Sequence, residues 1–185
     1  RSMAQRFPKL APDEMTPVQR EVAAEISAGP RGEVRGPFVP LIHHPELARR
    51  LQALGEQLRA KSTLPAQLVE FAVLITARRW TCQHEWFIHE KLARKAGLDP
   101  RIIDSVSRNE EPASLSPEQA AVYAFCSDLH ASGRASDSAF ETVRARFGRE
   151  GALELITLSG YYTLMAMVLN TAEMPLADNA PPPLK

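Results

Sequence analysis

From position 16 onward the chain alternates between stretches whose apolar residues recur every three or four positions and short breaks carrying Gly, Pro or capping residues. That period belongs to the α-helix. Thr16-Pro17 supplies an N-cap and a first-turn proline, so a helix is expected from there to about Ala28. Residues 29–40 hold three glycines and three prolines and read as a loop, long enough to carry function. Pro45 opens a second helix, 45–61, with Leu47, Leu51, Leu54 and Leu58 on one face. Pro65 opens a third, 65–79, whose run Leu68 to Ile75 is apolar almost all round and predicts a central buried helix. A fourth spans 82–96 and stops at Gly97, and a fifth spans 99–107 from Asp99-Pro100. Ser116-Pro117 starts a sixth, 117–132. Ser136 or Asp137 caps a seventh that Gly148 ends, and 150–170 forms an eighth. No stretch alternates as a strand would. The pattern therefore predicts an all-α domain over 16–175, with residues 1–15 as a flexible N-terminal arm and 176–185 as a Pro-rich tail.

Composition narrows the partners. Lys+Arg and Asp+Glu are both 22, so the formal net charge is +0. Nucleic acids and anionic membranes both select basic surfaces, and neither is expected here. Residues 152–169 are apolar enough to raise a membrane span. Glu154 inside that run, with Thr157, Ser159 and Thr163, favours a buried core or interface helix instead. The first residues lack an apolar signal-peptide core, and the two cysteines, Cys82 and Cys126, make no disulfide framework. Both are expected as thiols in a cytoplasmic protein, Cys126 as a small core residue.

Two places in the chain break the apolar pattern in ways that suggest chemistry. Glu70 sits inside the apolar run of the third helix, where a carboxylate is costly unless paired. It is either a proton-transfer group or the partner of Arg78 or Arg79. Cys82, Glu85 and His89 fall at i, i+3 and i+7, one face of the fourth helix. A thiol, a carboxylate and an imidazole would line one wall, with Cys82 near the helix start, where the dipole favours a thiolate. Trp86 and Phe87 flank this stripe with bulk, as a pocket wall requires, although a solvated polar stripe has the same spacing. His84 lies on the neighbouring face. Of His43-His44 one could reach a pocket. The residues Tyr161, Tyr162, Met165, Met167 and Asn170 on the last helix suit a core or subunit interface. No standard metal-ligand spacing, glycine-rich nucleotide loop or nucleophile elbow is present.

Arg79-Trp80-Thr81-Cys82-Gln83-His84-Glu85-Trp86, followed by His89, Ala93 and Ala96-Gly97-Leu98, resembles the carboxymuconolactone decarboxylase family. The Gly36-Pro37-Phe38 loop, His44-Pro45-Glu46-Leu47 and the last helix from Gly160 to Pro175 also look like longer members. The resemblance implies an AhpD-like bundle of about eight helices that assembles as a homotrimer or homohexamer. It implies a lyase needing neither metal nor organic cofactor, acting on a small carboxylated lactone or related acid of aromatic catabolism. His89 would be the acid or charge stabiliser, Glu85 and Glu70 its relay, and Cys82 part of the pocket. His44, His84 and Trp86 would contact substrate. His84 departs from the family, where a Tyr is common.

The superfamily also contains AhpD-type alkylhydroperoxidases, whose Glu, Cys-x-x-Cys and His would fall on Glu70, Cys82 and His89. Glu85 occupies the place of the second, resolving cysteine. A peroxidase using Cys82 is therefore the alternative, and a non-catalytic helical oligomer that binds a small ligand is the third reading.

Overall fold

The structure is a computed structural model that describes residues 5–185. Of the expected flexible arm 1–15, residues 1–4 lie outside the described residues. Among the described residues there is no strand, and eight α-helices follow one another: α1 (Pro17–Ala28), α2 (Phe38–Leu41), α3 (Pro45–Ala60), α4 (Ala66–Arg79), α5 (Gln83–Lys95), α6 (Pro100–Ser107), α7 (Pro117–Ser132) and α8 (Asp137–Ala172). The caps explain most boundaries. Thr16 and Ser116 each form a capping box with the glutamine three residues on, and Asp99 and Ser136 accept from the first turns of α6 and α8.

α4 is the axis of the bundle, packed against α5, α6, α7 and α8. Every residue from Leu68 to Ala77 is buried, and a fully buried Leu or Phe contributes about 1.5–3 kcal/mol. α3 lies across α1, α2 and α8.

One expectation changes. The loop 29–40 ends in the single turn α2, which the prolines at 37 and 40 permit because they fall at and near a helix start. Gly148 ends the seventh expected helix: with φ 69° and ψ −178° it is not helical, and two helical stretches, counted together as α8, meet there at a kink. α8 is long and apolar enough to cross a membrane by length and composition, and 50% of its most apolar window is buried inside the protein. The segment after α8 turns back over α5 and ends with Leu184 buried in the core.

Gly55 shows how α3 and α8 are matched. The Tyr161 hydroxyl of α8 donates to the Leu51 carbonyl at 3.1 Å. A Cβ on Gly55 would overlap that hydroxyl. Gly55→Ala is expected to push Tyr161 out of place and to cost roughly 1–3 kcal/mol, as overpacking does. Urea unfolding would read this, and unchanged stability would contradict the close fit.

Candidate functional site

α4 and α5 are joined by an unusually short reversal. Thr81 takes a left-handed conformation, φ 45°, while Cys82 N–H donates to Ala77 O at 2.9 Å and Thr81 N–H to Arg78 O at 3.0 Å. This Schellman-type ending closes α4 and lets α5 begin at Gln83. The two helices run antiparallel, which sets Glu70 of α4 level with His89 of α5.

The result is a buried chain of three groups. His89 Nδ1 lies 2.6 Å from Glu70 Oε2, and His89 Nε2 lies 3.1 Å from Glu85 Oε2. Glu70, Glu85 and His89 are 9%, 5% and 4% exposed. Burial alone would hold the imidazole neutral. The interactions with the accepting carboxylates of Glu70 and Glu85 outweigh it and raise the His89 pKa from 6.5 to about 9. At neutral pH the ring is therefore an imidazolium, hydrogen-bonded through Nδ1 to Glu70 and ion-paired through Nε2 with Glu85. Tyr162 packs its edge on the ring, 5.1 Å between centroids at 82°.

His89 and Glu85 open onto a cavity of about 520 Å³. Glu70 stands behind His89 and is not among the lining residues. The Arg and Lys side chains on the wall are Arg31 and Arg35 from the Gly/Pro loop, Arg59 from α3 and Lys91 from α5. Arg31 is fixed by a hydrogen bond to Gln52, 2.9 Å, and by stacking over Phe38, 4.3 Å from the ring centre. Tyr161, Tyr162 and Met165 close the α8 side. Cations and tyrosines around a buried acid suit a small organic anion with an apolar body.

Of the seven candidate residues, the structure brings together Glu70, Glu85 and His89, with His84 on the cavity wall. The other three fall elsewhere. Cys82 is 0% exposed and packs with Ala166 and Leu169 of α8 rather than lining the pocket. Burial pushes its thiol up to about 12, the nearby Glu85 adds to this, and the His84 and Glu85 backbone N–H groups only partly oppose it. Desolvation thus defeats the helix-dipole effect expected at this position. Trp86 is 1% exposed in the core, with its indole N–H donating to Glu90 at 3.2 Å. One residue past Glu85 rotates a helix by about 100°, which turns Trp86 away from the cavity. His44 caps α3, its Nδ1 accepting from Leu47 N–H at 3.4 Å, and faces a separate groove with Phe7, Pro40 and Met167.

The cationic residues were absent from the expected site. Arg31 and Arg35 sit in the loop that was expected to be functional, and its composition was the only signal for them. Arg59 has no local signal, because α3 brings it to the cavity only through tertiary packing. Among the described residues no group of three His, Cys, Asp or Glu side chains is arranged to hold a metal ion.

The all-helical fold is AhpD-like. The alkylhydroperoxidase AhpD core structure of an uncharacterized peroxidase-related protein from Ralstonia eutropha JMP134 superposes with a TM-score of 0.77 at 24% identity, over 95% of this chain and 97% of that one. Residues 45–128, from the start of α3 into α7, match the carboxymuconolactone decarboxylase family. No curated protein matches it.

Proposed function

We propose that the protein is a cofactor-independent lyase acting on a small carboxylated lactone or a closely related acid. One observation carries this reading: an imidazolium held between two buried carboxylates opens onto a cavity whose other charged groups are mainly cations. The cations would bind substrate carboxylates. In the reaction the bond from carbon to its carboxylate breaks and CO₂ leaves. The electron pair moves onto the lactone carbonyl oxygen, where Arg31 or Arg59 would stabilise the charge. Carbon then takes a proton from His89 Nε2, and the ring is reprotonated from water through Glu85. The Nε2 contact is the longer of the two, so Glu70 would anchor the ring while Glu85 exchanges.

The AhpD-like fold keeps a Cys82 peroxidase in view. Burial of Cys82 with a pKa near 12 supports proton transfer over thiol chemistry, and Glu85 stands where a resolving thiol would be. Cys82→Ser separates the two readings. The lyase reading expects the variant to release CO₂ from a carboxylated lactone within about threefold of wild type, because the side chain lies off the cavity. Hydroperoxide reduction that disappears in Cys82→Ser, together with no CO₂ release by wild type, would overturn it. Binding of the lactone with neither reaction would point to the ligand-binding oligomer.

Self-association belongs to the same proposal, as a homotrimer or homohexamer. Its support is the exposed apolar face of α8, with Leu153, Ile156 and Met167 at 63%, 43% and 48% exposed.

A further inference from the structure

The segment that follows α8 is held far more firmly than a proline-rich tail need be. At its start, Met174 packs on the Cys82, Ala166 and Leu169 cluster, and the His84 ring N–H donates from Nδ1 to the Pro175 carbonyl at 3.2 Å. Ala177 then lies on the wall of the cavity that holds His89. The run Pro181-Pro182-Pro183 follows. Three prolines in a row form a stiff spacer and lower the entropy lost when such a segment docks. At the far end Leu184 is buried, 4% exposed. Its backbone is clasped on both sides by one amide: Leu184 N–H donates to Gln83 Oε1 and Gln83 Nε2 donates to Leu184 O, each at 2.9 Å. Arg78 adds a bond to the Lys185 carbonyl at 3.2 Å. Both anchors, His84 and Gln83, are in the first turn of α5, immediately before Glu85.

We propose that residues 173–185 form a strap that closes one side of the cavity and sets the size of acid it accepts, with Gln83 and Leu184 as its clasp. The strap also orients His84. With Nδ1 committed to Pro175, Nε2 is the ring nitrogen left over near Gly36, where an added Cβ would stand 3.5 Å away. The cavity thereby gains an imidazole nitrogen held in a fixed place, which favours a substrate with a hydroxyl or acid group at that end. A strap clasped at its end can open without disturbing the helices beneath it, since its bonds are to side chains of α4 and α5 and not to their backbones. The inference rests on the cavity being the working site. It does not depend on which reaction occurs there.

The test uses the full chain and two variants, Leu184→Ala and Gln83→Leu. Losing two hydrogen bonds, or the buried leucine, is expected to raise the open population about tenfold or more. Diethyl pyrocarbonate labelling followed by mass spectrometry should then modify His84 about tenfold faster in both variants. His43 and His44, outside the strap, should label at the wild-type rate. Calorimetry with adipate and with the bulkier benzene-1,3,5-tricarboxylate adds a readout that a purely structural tail would not move. The wild type should bind adipate and exclude the triacid, whereas the variants should bind both. Unchanged His84 labelling and unchanged acid selectivity in Gln83→Leu would overturn the proposal, whether or not Leu184→Ala remains folded. If the lyase reading fails and these shifts occur, the strap stands; if turnover is found without them, the strap falls alone.

Discussion

His89→Gln should lower turnover of a carboxylated lactone by a factor of about 10²–10⁴, the range that a positioned general acid supplies, while the protein stays folded. The choice of glutamine matters. His89 bridges Glu70 at 2.6 Å and Glu85 at 3.1 Å inside the bundle. Alanine would leave two buried carboxylates facing an empty space. Breaking a buried pair in that way costs about 3–5 kcal/mol, so lost activity could follow from unfolding alone. Glutamine keeps a donor for one carboxylate, carries no exchangeable proton of suitable acidity and fills most of the ring's volume. The decisive comparison is kcat at saturating substrate beside a urea unfolding curve. A folded His89→Gln protein with full turnover would remove His89 from the chemistry, and with it the proposed proton route.

That experiment gains from a second comparison, because Cys82 shares a helix face with Glu85 and His89 and yet plays no visible part in the cavity. The spacing i, i+3, i+7 was a sound reason to group the three, and two of them do meet at the cavity. Helical spacing fixes only the direction in which a side chain leaves its own helix. What covers that direction is decided by another element. At the first turn of α5 the cover is Ala166 and Leu169 of α8, which seal Cys82. Two turns further along, the neighbours are Glu70 and Tyr162, and a cavity opens beside them. The same logic explains Glu70. An acid within Leu68 to Ile75 had to have a partner, and the sequence offered Arg78 and Arg79 as readily as His89. The antiparallel return through Thr81 decides between them.

Elements with local signals were legible. α1, α6 and α7 begin at a capping residue followed by proline, and the apolar run of α4 announced the central helix. Features made by long-range contact were not. Arg31, Arg35 and Arg59 converge from a loop and α3, and nothing in their local sequence distinguishes them from solvated arginines. Leu184 follows three prolines, where sequence predicts an end to order, and is buried only because Gln83 of α5 clasps its backbone.

Stability should fall as pH rises from about 6.5 to about 9, and Glu70→Gln should flatten most of that slope. The sign follows from His89. Its folded pKa is near 9, above the ordinary value of 6.5, so the folded state binds a proton that the unfolded state releases earlier. The stabilisation is complete below pH 6.5 and is lost as pH passes through 9. At about 1.36 kcal/mol per pH unit, a rise from 6.5 to about 9 corresponds to a loss on the order of 3 kcal/mol. The thiols of Cys82 and Cys126, both pushed up to about 12 by burial, lower stability in the same direction above pH 9, when the unfolded chain ionises them. The difference between wild type and Glu70→Gln cancels that contribution and isolates the imidazole. Glutamine still accepts from Nδ1–H but offers no charge, so the His89 pKa should drop by at least one unit. Imidazole ¹⁵N shifts would follow the drop directly, and urea midpoints across pH 6–9 would follow its effect on the fold. An unaltered His89 titration in Glu70→Gln would mean that Glu85 alone holds the proton, and the roles of anchor and exchanging carboxylate would have to be reversed.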